Sequence, residues 1–205
     1  MRYDADHKQK THEALLKQAA LEIREKGPDG LSLSAVMKSA GLTNGGFYSH
    51  FKSRDELLEA GIQQLFREGK ARLLLEREES AGRNVSDFVR FYLSREHRDA
   101  KTFGCPLALL NSDVPRLSKR AAGRYTEGMQ ALSATLADSL KALGQPHPED
   151  EASSILSELI GALGRARAES DATRSDLILK RSRQSILRRL ELEDVSRKAP
   201  GGAAS

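Results

Sequence analysis

The sequence predicts an all-α fold, on three observations. Leu and Ala supply 54 of the 205 residues, whereas the β-branched Val, Ile and Thr supply only 17, a balance that favours helices over strands. Apolar residues recur every three to four positions along several long stretches. Ser or Thr precedes many of those stretches and Gly or Pro follows, as helix caps and stops do. A single cysteine, Cys105, excludes an internal disulfide framework and a multi-cysteine zinc site. The N-terminus is too charged for a signal peptide, and no apolar run approaches the roughly 18 residues that span a bilayer. A soluble, cytoplasmic chain is the expectation. The net charge of +4 and pI near 9.2 suit a nucleic-acid or membrane-surface partner without establishing either.

The elements follow in order. Leu15, Ala19 and Ile23, with His12 a turn earlier, give one stripe of a helix over 6–26, stopped by Gly27-Pro28-Asp29-Gly30. Ser32 caps a short helix running to Ala40, and Gly41 ends it. Thr43 is expected to cap a second short helix, from Asn44 to about Phe51. Ser53 and Glu56 form a capping box at the head of a long helix over 54–79, with Leu57, Leu58, Ile62, Leu65, Phe66 and Leu73 inward. Ala81-Gly82-Arg83 reads as a break, followed by a helix over 85–95. A short apolar segment spans Leu107 to Leu110, and Pro115 is expected to open a helix to Leu143. After a Gly/Pro linker, two last helices read as 148–168 and 173–192, and residues 198–205 read as disordered.

One segment carries chemistry. No acidic residue lies between Asp29 and Asp55, while Lys38, Lys52 and Arg54 make that stretch locally +3 and His50 lies within it. Phe47, Tyr48 and Phe51, three of the ten aromatics, fall within five positions. Two short helices joined by Ala40-Gly41-Leu42-Thr43 have the length and turn of a helix-turn-helix. A short helix entering a DNA major groove by its N-terminus offers free N–H groups to phosphate. Gly45 and Gly46 let the backbone approach closely; Tyr48, His50 and Lys52 supply phosphate donors; Thr43, Asn44 and Ser49 are suited to reading base edges. A pair of ordinary surface helices with a capped turn is the alternative.

The run Gly41-Leu42-Thr43-Asn44-Gly45-Gly46-Phe47-Tyr48-Ser49-His50-Phe51-Lys52-Ser53-Arg54-Asp55-Glu56-Leu57 resembles the DNA-binding region of TetR/AcrR-type helix-turn-helix transcriptional regulators. The resemblance is strongest over residues 8–60. A weaker one touches Gly104-Cys105-Pro106-Leu107 and the stretch from Leu156 to Leu163. By position it implies that Ser32 and Ser34 touch phosphate at the start of the supporting helix. Thr43, Asn44, Gly45 and Gly46 would begin the recognition helix, with Phe47 and Phe51 in the core. Gly46 departs from the Thr, Ala or Ser common in the family, so a base contact from that side chain is absent. Two adjacent glycines weaken a helix by roughly 1 kcal/mol each relative to Ala, so a soft recognition helix is expected.

The resemblance also implies a three-helix DNA-binding domain over 1–53, a helical ligand-binding and dimerisation domain over 54–195, and a tail over 196–205. It makes double-stranded DNA with an inverted-repeat operator, an unidentified small-molecule effector and a second copy of the chain the expected partners. Phe66, Phe88, Phe91, Tyr92, Phe103, Tyr125 and Met129 lie on helices expected to wrap an effector pocket, although aromatics at helical spacing also serve as plain core. The last two helices carry wide apolar faces, with Ile155, Leu156, Leu159, Ile160 and Leu163 on one and Leu177, Ile178, Ile186 and Leu187 on the other. They suit either a four-helix dimer interface or burial within one chain. Cys105 is read as a structural thiol or, alternatively, an oxidant or electrophile sensor. No metal spacing, phosphate loop or nucleophile elbow is present, so no cofactor, metal or catalytic residue is expected. A repressor is the leading reading, with an activator, a thiol-sensing regulator or a helical enzyme or carrier as rivals.

Overall fold

The computed structural model describes residues 2–74, 81–100 and 107–192. In order they form α1 (Arg2–Lys26), α2 (Leu33–Ser39), a 3₁₀ segment (Asn44–Ser49), α3 (Arg54–Leu74), α4 (Ala81–Tyr92) and α5 (Arg95–Asp99). Next come α6 (Leu107–Leu110), a 3₁₀ turn (Val114–Arg116), α7 (Lys119–Ala142), α8 (Pro148–Ala168) and α9 (Ala172–Arg189). The described residues contain no strand, so the fold is all-α. None of their helices is long and apolar enough to cross a membrane, and no three of their His, Cys, Asp or Glu side chains could together hold a metal ion.

Contacts divide the chain into two units. The first joins residues 1–68 to 101–129. Its α1 stripe, Leu15, Ala19 and Ile23, is fully buried with Val36 of α2, Phe47, Phe51, and Leu57 and Ile62 of α3. The helices α1 and α3 approach closely at Gly61, where a Cβ would come within 2.6 Å of Ile23 Cδ1. The second unit joins 69–100 to 130–205, and its core is Val85, Val89, Leu136, Leu140, Ile155, Leu159, Leu163 and Ile186.

Most expected elements are present, with instructive differences. The helix α1 begins at Arg2, before the expected Asp6. Ala81-Gly82-Arg83 is the first turn of α4 and not a break. Gly82 is buried, and a Cβ there would lie 3.2 Å from the Leu143 and Leu192 side chains, so this glycine serves packing. Pro115 sits in a 3₁₀ turn, and α7 starts later, at Lys119, where the Ser118 hydroxyl accepts from the Ala121 N–H. The helix α9 stops at Arg189, three residues before the expected end, because Glu191 adopts a left-handed φ of 59° and the Leu192 N–H returns to the Leu187 carbonyl. The short α5, capped by Ser94, was not foreseen. Phe103, Cys105 and the tail over 196–205 lie outside the described residues, as does the 75–79 end of the long helix.

Candidate nucleic-acid interface

The site begins with α2. The Ser32 hydroxyl accepts from the Ala35 N–H at 3.3 Å and lies 3.1 Å from the Ser34 hydroxyl. Gly41, at φ +69°, reverses the chain. The Gly41 N–H reaches the Lys38 carbonyl and the Leu42 N–H the Met37 carbonyl, the paired bonds of a Schellman ending. A left-handed residue costs a glycine nothing sterically, which is why the turn stands there.

The chain then enters the segment expected to be the recognition helix, and here two expectations are corrected. Asn44–Ser49 is 3₁₀ rather than α-helical, and the Thr43 side chain makes no capping hydrogen bond. Gly45 and Gly46 give a helix little support, and the Ser49 hydroxyl binds the Gly46 carbonyl at 2.6 Å, a local bond that competes with helical pairing. Phe47 and Phe51 anchor the segment: both are buried, with ring centroids 5.7 Å apart, and His12 of α1 stacks on Phe51 at 5.1 Å.

The other side of the segment faces solvent. Tyr48 is 75% exposed, an unusual position for an aromatic ring, and sits edge-on to Phe47. Ser34, Thr43, Asn44, Gly45, Ser49 and Lys52 are also exposed, while Ser32, Gly46 and His50 are half-buried. The structure therefore brings all ten sequence-expected DNA-binding residues into one region of the first unit and leaves most of them accessible. His50 differs from the rest: its Nδ1 is buried without a hydrogen-bond partner, and its ring stacks 6.2 Å from His12. Burial, then the charges of His12 and Lys8, push its pKa below the ordinary histidine value.

The start of α3 locks this region in place. The Ser53 hydroxyl caps the Glu56 N–H at 3.1 Å; Glu56 answers at the Lys52 N–H, one residue earlier than the reciprocal bond of a standard capping box. Sequence reasoning missed Arg54. Its guanidinium donates to the Pro28, Asp29 and Leu31 carbonyls at 2.7, 3.1 and 3.3 Å, tying the α1–α2 turn to α3. A lone arginine at the first position of a helix gives no sequence signal of such a long-range clamp.

The expected effector residues separate into two groups. In the first unit Phe66 packs edge-on against Tyr125 at 5.5 Å, the Tyr125 hydroxyl donates to Asn111, and Met129 is half-buried. In the second, Phe88 lies 5.8 Å from Tyr92, and Phe91 and Tyr92 both pack on His97. His97, which sequence reasoning left among scattered histidines, is buried with Nδ1 2.7 Å from the Tyr92 carbonyl. Of the residues expected at a dimer interface, Ile155, Leu156, Leu159, Leu163, Ile186 and Leu187 are buried within the chain itself. Ile160 and Ile178 are half-buried and Leu177 is exposed.

Comparison with known proteins accords with this site. Residues 15–60 match the family described as bacterial regulatory proteins, tetR family. No curated protein sequence matches the chain. Among solved structures, the reduced form of Escherichia coli NemR is similar over 87% of this chain and 96% of that one, at 20% identity and a TM-score of 0.74. A TetR-family transcriptional regulator from Agrobacterium tumefaciens is similar over 86% and 97%, at 22% identity and a TM-score of 0.70. A TetR transcriptional regulator from Chloroflexus aurantiacus is similar over 97% and 98%, at 19% identity and a TM-score of 0.72. At these identities the solved structures speak for the shared fold, while the family match covers the segment that carries Tyr48 and the exposed residues around it. Over residues 15–60 the chain is similar to the bacterial regulatory proteins of the tetR family, and its all-α fold is one it shares with solved TetR-type transcriptional regulators.

Proposed function

We propose that this protein is a homodimeric repressor, held on an inverted-repeat operator and released by a small, largely apolar effector. The observation that carries the reading is the recognition surface: Tyr48, Asn44, Thr43 and Lys52 exposed over a buried Phe47–Phe51 platform, in a stretch free of carboxylates. In this reading Lys52, Tyr48, His50, Ser32 and Ser34 hold phosphates, and Asn44, Thr43 and Ser49 face base edges. The DNA-binding domain comprises residues 1–53, and the remainder serves effector binding and dimerisation. Two-fold symmetry would come from α8 and α9, where Ile160, Gly161 and Ile178 keep accessible surface. The aromatic pairs Phe66–Tyr125 and Phe88–Tyr92 support an apolar effector. Such an effector releases DNA only by binding the non-operator conformation better than the operator-bound one.

The decisive experiment is footprinting on the intergenic DNA beside the protein's own coding region. A palindromic protected region, with bound protein sedimenting as a dimer, is expected. Asymmetric protection without a repeat would overturn the dimeric reading. A thiol-responsive variant of this function rests on the single cysteine, Cys105, and on the reduced form in which the similar NemR was crystallised. Peroxide that releases DNA from the wild type but not from Cys105→Ser would select it over the ligand-released form.

A further inference from the structure

The second unit holds a groove of about 590 Å³ between the α4–α5 corner and α9, within the roughly 300–1,000 Å³ of small-molecule sites. Leu93 and Leu179 form part of its lining and are buried; Leu177, 38% exposed, offers an apolar edge. Its charges are unequally satisfied. The Asp176 carboxylate is shared by Arg95 at 2.5 Å and Arg98 at 2.8 Å, so that acid is already neutralised. Lys180 and Arg183, one turn apart on α9, have no carboxylate within ion-pair distance among the described residues. Arg183 is half-buried, and the polar contact found for it is a 3.2 Å donation to the Leu93 carbonyl at the end of α4. Burial, and then the neighbouring Arg90, lower its pKa, so water and anions solvate this cation poorly.

A cation held partly out of water beside another is costly unless an anion meets it. Asp176 cannot serve, being engaged by two other arginines, and the guanidinium fork suits a carboxylate approached from the groove. We infer that the groove binds a small amphiphilic organic acid, its carboxylate between Arg183 and Lys180 and its apolar body along Leu177. The inference concerns binding alone and does not rest on the repressor reading.

The test is calorimetric titration of the full-length protein with hexanoate, with hexanamide and inorganic phosphate as matched probes. Hexanoate should saturate at one per chain, while hexanamide and phosphate each bind at least ten-fold more weakly. Lys180→Gln and Arg183→Gln should each weaken hexanoate ten-fold or more, and Arg181→Gln, on an exposed position outside the groove, should leave it unchanged. If Arg183→Gln fails the circular-dichroism check of folding, Lys180→Gln decides alone. Hexanamide binding as tightly as hexanoate, phosphate binding as tightly, or a Lys180→Gln titration matching wild type would each overturn the proposal. So would a salt-sensitive self-association that Lys180→Gln abolishes with no probe binding in either protein, since the groove would then receive an acidic side chain of a second copy.

Discussion

At the scale of single residues, Lys52 and Asn44 separate the two kinds of DNA contact. Lys52→Ala should weaken binding to every duplex and lower the salt slope by about one unit, because one phosphate contact releases about one counterion. Salt titration on cognate and random DNA checks this; a loss confined to the cognate sequence would make Lys52 a base reader. Asn44→Ala should cost about 1–3 kcal/mol on the operator and little on random duplex, as expected for a bidentate adenine contact. His50 predicts a pH dependence of folding. Its native pKa lies below the ordinary 6.5, so the unfolded chain binds the extra proton. Its contribution to stability is therefore present above pH 6.5 and is lost as pH falls toward the native value. Urea melts of wild type and His50→Gln between pH 5 and 8 should differ most at the acid end, with the variant less pH-sensitive. This role is invisible in the sequence, which leads only to the expectation of His50 as a phosphate donor; the fold is what puts His12 beside it.

At the scale of elements, the recognition segment shows what a sequence conveys and what it withholds. Its position, its turn and its anchors were legible, because Gly41, Phe47 and Phe51 each have one dominant structural use. Its 3₁₀ character was anticipated only as softness, since whether two glycines weaken an α-helix or replace it depends on the balance of local hydrogen bonds. A Cβ on Gly46 would lie 3.6 Å from Met37 Cε and one on Gly45 3.9 Å from the Thr43 hydroxyl oxygen, both ordinary contacts. Gly45→Ala and Gly46→Ala should thus each stabilise the module, by at most about 1 kcal/mol, through better helix propensity. Thermal melting checks the sign: destabilisation would mean that the 3₁₀ geometry itself is required. Gly82 illustrates the opposite error. A glycine beside Ala and Arg reads as a break, yet it opens α4 because Leu143 and Leu192, distant in sequence, claim the space of its side chain. Local pattern carries no trace of that.

For the whole molecule, α8 matches its expected bounds of 148–168 and α9 ends three residues before its expected 192, but periodicity could not say which leucines face a partner. Six of the nine expected interface residues are covered by their own chain, so charging Leu159 or Leu187 would damage the fold before it tested assembly. Gly161 is the better probe. It is exposed, and a Cβ there would meet nothing within 4 Å. Gly161→Arg should fold normally and, if α8 lies in a two-fold interface, sediment as a monomer and lose high-affinity operator binding. An unchanged dimer would put the interface elsewhere. A symmetric dimer should also require half-sites about 34–36 Å apart, one helical turn, so inserting 5 base pairs between them should abolish binding and inserting about 10 should partly restore it.

The Arg54 clamp has a consequence for how the module comes apart. Three carbonyls of one surface turn converge on a single guanidinium, so the turn opens as a unit or not at all. Lys26, exposed on the last turn of α1, places a tryptic cleavage site directly before it. In the intact protein that bond should resist trypsin for as long as the turn stays latched. Arg54→Ala should make it the first bond cut, with helical content before digestion unchanged, because the latch guards the chain locally without contributing to the apolar core. Arg54→Lys, which keeps the charge but not the fork, should fall close to alanine and far from wild type.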